Sequence, residues 1–192
     1  MLINLLDGIL YTLNELANTL TAHRLPPLPA SPTLLSTARS SLELPPPSAF
    51  GDRLAGEIIL ALALASYTDT KADADAATHG GDSKAVPSGT AVVAFLYVTN
   101  WNNPSVAGDT LTIFSLDHDP TVPKLVMEVH TGLQHLRGAM IRGGDVCWIV
   151  LGGLLGGGVK VYEQVDGGCL VREVVALPDI EAPIAFLWLP RV

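Results

Sequence analysis

The chain has 192 residues, 48% of them hydrophobic and 16% charged, with 18 glycines and 14 prolines. Such a composition excludes a disordered chain, and the length fits one domain with a real core whose short elements are joined by many turns. The formal net charge of −8 repels phosphate backbones and argues against nucleic-acid binding, and no basic block marks a membrane-surface patch.

The N-terminal stretch MLINLLDGILYTLNELANTL carries Asp7 and Glu15 but no basic flank or small-residue cleavage site. It does not read as a signal peptide, so a cytoplasmic protein is expected. Asp7–Asn14 followed by Thr19–Leu25 predicts two strands around a short polar turn. Leucines at i, i+3 and i+4 offer a helix as the alternative, which Asp7-Gly8 and Asn14 punctuate badly. A third strand is expected at Thr33–Ala38. Residues 40–53, with Pro45-Pro46-Pro47, predict a loop, because proline cannot donate to a ladder.

Gly56–Leu64 predicts the next strand. Its apolar run, Ile58–Ala65, falls far short of the roughly 20 residues a membrane span needs. Residues 66–88 are mostly Ala, Asp, Thr and Gly and predict a flexible insertion. Strands are then expected at Ala94–Asn100, Asp109–Leu116 and Lys124–Val129. A third group follows at Arg137–Ile141, Gly144–Leu151, Gly158–Glu163 and Cys169–Leu177. Period-two alternation in the second strand of each pair marks one buried face.

The same unit therefore recurs three times, and four strands per repeat is the pattern of a β-propeller blade. The expected fold is all-β, a partial β-propeller of about three four-stranded antiparallel blades in one domain over residues 1–192. A β-sandwich and an α/β domain are the alternatives. Three blades cannot close a ring, so a homodimer or a partner chain is expected to complete it. Cys147 and Cys169 lack CxxC or Cys/His clustering and read as small buried hydrophobes, a disulfide between them being the alternative that nothing in their spacing demands, with no metal and no cofactor expected. Gly152–Gly158 lacks the Lys-Ser/Thr and the helix of a phosphate cradle and reads as a hairpin loop.

Several segments carry a family resemblance. Tyr11–His23, YTLNELANTLTAH, resembles the "YVxNExxNTVxVY" blade of the lactonase-type seven-bladed propellers, which include bacterial 6-phosphogluconolactonase and fungal carboxy-cis,cis-muconate cyclase. Ala55-Gly-Glu-Ile-Ile-Leu60 is similar to their "AxEIxx" strand, and Phe95-Leu-Tyr-Val-Thr-Asn-Trp101 to their "RFLYVSNR". His130-Thr-Gly-Leu-Gln-His-Leu-Arg-Gly138 resembles their "TGGxHPRGF" turn. Ala182–Leu189 resembles a closing strand "PxPVCVLFL". The matches span nearly the whole chain, in the family's order, and correspond to its C-terminal part.

This resemblance implies the candidate site. Glu15 corresponds to a carboxylate facing the central channel; by itself it reads as a solvated loop acid. Arg137 corresponds to a residue that binds carboxylate or phosphate through its planar fork. His135, two residues earlier, would move a proton, and Leu136 stands where the family has proline. Glu57, Asn100 and Trp101 correspond to channel-facing, substrate-binding positions, with Trp101 where the family carries a cation.

The implied function is a lactonase- or cycloisomerase-like enzyme acting on a small carboxylated or lactone metabolite. Arg137 would hold the carboxylate while Glu15 or His135 moves the proton. The alternative is a catalytically inactive propeller fragment serving as a binding or assembly module.

Overall fold

The computed structural model describes residues 3–6, 8–27, 29–40, 54–67, 89–103, 106–117, 119–142, 148–165 and 170–188. Among them there is no helix; all regular structure is strand. The first four strands, β1 (Ile3–Leu6), β2 (Ile9–Asn14), β3 (Thr19–Arg24) and β4 (Thr33–Arg39), form one antiparallel sheet in chain order. A second sheet follows in the same way from β5 (Leu54–Tyr67), β6 (Gly89–Trp101), β7 (Thr110–Ser115) and β8 (Lys124–His130). The third holds β9 (Gln134–Arg142), β10 (Trp148–Gly156), β11 (Val159–Val165) and β12 (Leu170–Leu177).

The helical alternative for the N-terminal stretch is thus excluded. The turn at Glu15–Asn18 reverses the chain with Asn18 at φ 50° and its N–H on the Glu15 carbonyl. Asn tolerates that left-handed conformation better than most residues. Each sheet repeats one irregularity. Leu35, Val126 and Val174 each stand as an extra residue on the fourth strand, between the pairs Ala22↔Ser36 and His23↔Leu34, Ile113↔Met127 and Phe114↔Leu125, and Val161↔Val175 and Tyr162↔Glu173. Such bulges bend and twist a strand in a set way. Their recurrence supports reading the chain as three copies of one unit.

The sheets pack in series. The first contacts the second through β1, β2 and β5, and the second contacts the third through β5, β6 and β9. Between the first two lies a core of Ile9, Tyr11, Leu13, Leu20, Ala22, Ala55, Leu96, Val98, Phe114 and Leu116. Between the second and third lies another, built on Phe95, Tyr97, Leu111, Ile113, Leu133, Leu136, Ile149, Leu151 and Tyr162. Alternation along β6 explains both: Leu96 and Val98 face one neighbour, Phe95 and Tyr97 the other. A strand buried on both faces reads as an unbroken apolar run, as 94–98 does. The two tyrosines also bond into the following sheet. Tyr11 Oη donates to the Pro120 carbonyl at 2.6 Å, and the Gln164 amide donates to Tyr97 Oη.

Four expectations are corrected. Strand β1 precedes the first pair, where none was foreseen. Ser66 and Tyr67 belong to β5 rather than to an insertion, and Ser40 is a buried bend. Residues 41–53, 68–88 and both cysteines lie outside the described residues. The segment expected to be a closing strand forms none over 182–188. It crosses the outer face of the third sheet instead, where Phe186 and Pro183 sit against the cross-strand pair Gly138 and Gly152. A Cβ on Gly152 would fall 2.7 Å from the Pro183 carbonyl oxygen, so only glycine permits this approach.

Candidate functional site

The junction of the second and third sheets gathers three of the expected residues. Trp101 ends β6, and β6 packs on β9, which carries His135 and Arg137. Residues two apart on a strand share a face, so His135 and Arg137 both reach Trp101. The His135 ring meets the indole edge-on, centroids 4.3 Å apart and planes at 65°. The Arg137 guanidinium lies 4.3 Å from the centre of the same indole, and its Nε donates to His135 Nε2 at 3.1 Å. An arginine Nε can only donate, so His135 Nε2 is the acceptor of that bond. Arg137 is exposed, and among the described residues no carboxylate forms an ion pair with it.

The backbone of His135 has φ 59°. For a residue other than glycine this conformation carries a strain of order 1 kcal/mol, tolerated where the surroundings over-determine it. Those surroundings centre on Asp109, at the entry to β7 and 1% exposed. Its Oδ1 accepts the Asn103 N–H and its Oδ2 the Leu136 N–H, each at 2.8 Å. Its carbonyl accepts the Thr131 N–H and hydroxyl, and its own N–H donates to the Leu133 carbonyl. Burial pushes the Asp109 carboxyl above the usual range, opposed by the backbone N–H groups of Asn103, Leu136 and His135. Burial likewise pushes the Tyr162 phenol up; its hydroxyl donates to the Thr131 carbonyl at 3.4 Å. An open depression of about 310 Å³ adjoins the stack, lined by Asn102, Asn103, Val106, Asp109, Gln134, His135 and Leu155.

The remaining candidates lie elsewhere. Glu15 is half-buried in the β2–β3 turn of the first sheet and takes no part in the contacts that join Trp101, His135 and Arg137. Asn100 is buried, with its amide donating to the Ser40 carbonyl, Thr112 Oγ1 and Thr110 Oγ1 at 2.9, 3.1 and 3.4 Å. It ties the end of the first sheet to the second. Glu57 lies on β5, and its side chain is outside the described ones. His79 and His118 are also outside the described residues.

Sequence reasoning passed over Asp109. The available signal was the repeat itself. Asp109 directly precedes Thr-Leu-Thr, as Asn18 does in the first unit, and both carbonyls accept an N–H from the chain after the fourth strand. Among the described residues, no group of three or more His, Cys, Asp or Glu is placed to hold a metal ion. No described helix is long and apolar enough to cross a membrane. No protein-family model matches the chain, and no curated protein matches it.

Proposed function

We propose that the three sheets are consecutive blades of a lactonase-type β-propeller and that the chain binds a small carboxylated or lactone metabolite through Arg137. The observation that carries this reading is the stack of Arg137 on Trp101 with Nε held by His135. A guanidinium fixed by its ring contact and its Nε keeps its two terminal amino groups for an incoming carboxylate, and holding it in place lowers the entropic cost of a bidentate contact. The adjoining depression has room for a small molecule.

Recognition is better supported than turnover. Lactone opening or cycloisomerisation requires a group that moves a proton. His135 Nε2 accepts from Arg137, and Glu15 sits on another sheet. A second reading, an assembly module completed by a second copy or a partner chain, is favoured by one feature. The first sheet's outer face carries an apolar depression of about 430 Å³ lined by Leu10, Thr12, Asn14, Thr21, His23, Pro32 and Leu34, with Leu34 56% exposed.

Titration calorimetry with a small unsaturated dicarboxylate, a γ-lactone acid and glucono-δ-lactone tests the primary reading. At least one binds the wild-type chain, and Arg137→Ala weakens it by tenfold or more, about 1.4 kcal/mol. Arg137→Lys falls between the two, since an ammonium neither forks nor stacks in the same way. Affinity unchanged in Arg137→Ala sinks the proposal.

A further inference from the structure

We infer that Asp109 is the positioning residue of the Trp101–His135–Arg137 site, its carboxylate fixing the left-handed backbone at His135 and thereby the stack of Arg137 on Trp101. The inference rests on the anion-binding reading of Arg137 for its functional meaning, and on the geometry alone for the positioning.

One carboxylate joins the two chain segments that make the site. Asn103, which donates to Oδ1, lies two residues past Trp101; Leu136, which donates to Oδ2, stands between His135 and Arg137. Both bonds are 2.8 Å. Moving either N–H moves one member of the stack relative to the others. The same residue's main chain holds the rest of the β8–β9 connection through Thr131 and Leu133, so the turn leading into His135 is tied at both ends. A strained φ at a histidine persists only under such over-determination.

The chemistry asks for a carboxylate. Aspartate presents two acceptor oxygens, whereas asparagine would aim an NH₂ at one of the two N–H groups. The equivalent slot holds Asn18 in the first unit and Gly158, directly before β11, in the third. The acid is therefore particular to the unit whose following strand, β9, carries His135 and Arg137. Burying an ionised group is costly and needs such partners to be tolerated.

The test uses the full chain and NMR. In the wild type, through-hydrogen-bond coupling from the Asn103 and Leu136 amide nitrogens to the Asp109 side-chain carbon reports the clasp directly, and the Arg137 δ-protons are shifted upfield by the Trp101 ring. In Asp109→Asn, a chain that keeps its dispersed β-sheet amide spectrum loses that upfield shift, and its affinity for the dicarboxylate probe falls about tenfold. Thr131→Ala, which removes a hydroxyl bond to the Asp109 carbonyl but leaves the carboxylate, lowers stability while the upfield shift stays. Should Asp109→Asn not fold, the wild-type couplings still decide, and their absence overturns the inference. So does a folded Asp109→Asn chain with the Arg137 shift intact. If Arg137→Ala leaves binding unchanged while Asp109→Asn still abolishes the shift, the anion-binding reading fails and the positioning role stands.

Discussion

Trp101 and Arg137 gain their roles from each other. An arginine alone on a strand is a solvated charge with a flexible stem; stacked at 4.3 Å and bonded through Nε, it becomes an oriented fork. Asp109 makes the complementary case of a buried charge held by backbone donors. Its pKa is raised in the fold, so the folded state binds this proton more tightly than the unfolded state does. The resulting stabilisation is fully present below the ordinary aspartate pKa and is lost as pH rises through the folded value. Asp109→Asn destabilises the protein at every pH, by about 1–3 kcal/mol for a broken buried bond. The gap between wild type and variant is wider at pH 4 than at pH 7, because only the wild type gains from protonation. Urea denaturation of both chains at the two pH values checks the sign; a gap that widens toward neutral pH would contradict it.

Among the elements, the second strand of each unit is the most informative. β2 and β6 present a tyrosine to the next sheet, Tyr11 and Tyr97, and both hydroxyls are bonded there. On β10, Ile149 faces back into the core shared with the second sheet, so alternation turns Trp148 to the outer face. No fourth sheet lies on that face among the described residues. The 182–188 segment crosses it, with Phe186 seated on Gly138 and Gly152 and the Arg142 guanidinium 5.5 Å from the Trp188 ring. Leu187 points away, 78% exposed. Gly152→Val fills the space that Pro183 and Phe186 occupy and expels the segment, at about 1–3 kcal/mol for overpacking. Limited proteolysis reads this as new cleavage within residues 179–188 while the sheets stay intact. An unchanged cleavage pattern would mean that the contact does not hold the segment.

At the scale of the whole molecule, the described residues form three sheets that share two cores, and among them only the middle sheet is covered on both faces by other sheets. Repeat units that bury one another in series expose their terminal faces. The first sheet's outer face shows this in Leu34 and its apolar depression. If a second copy completes a ring, sedimentation equilibrium finds a species of twice 20.2 kDa at micromolar concentration, and Leu34→Asp shifts it toward the monomer. A wild-type chain that stays monomeric at those concentrations removes the dimer from consideration.

The sequence by itself determined the elements. Alternating apolar residues, glycine and asparagine turns and the threefold recurrence of one pattern placed eleven strands and the all-β class, because strand formation depends on local periodicity. Its resemblance to a propeller family supplied Trp101, His135 and Arg137 as candidates. It did not pair them, since the contact between the end of β6 and the start of β9 is made across two sheets by residues more than thirty positions apart. Nor did it reveal Asp109, whose importance lies in backbone N–H groups that carry no residue-specific signature. The path of 182–188 likewise had to come from the tertiary structure. Its apolar sequence suits a strand, but a glycine pair on the third sheet offers it a face to lie on, and burial of Phe186 there takes the place of a ladder.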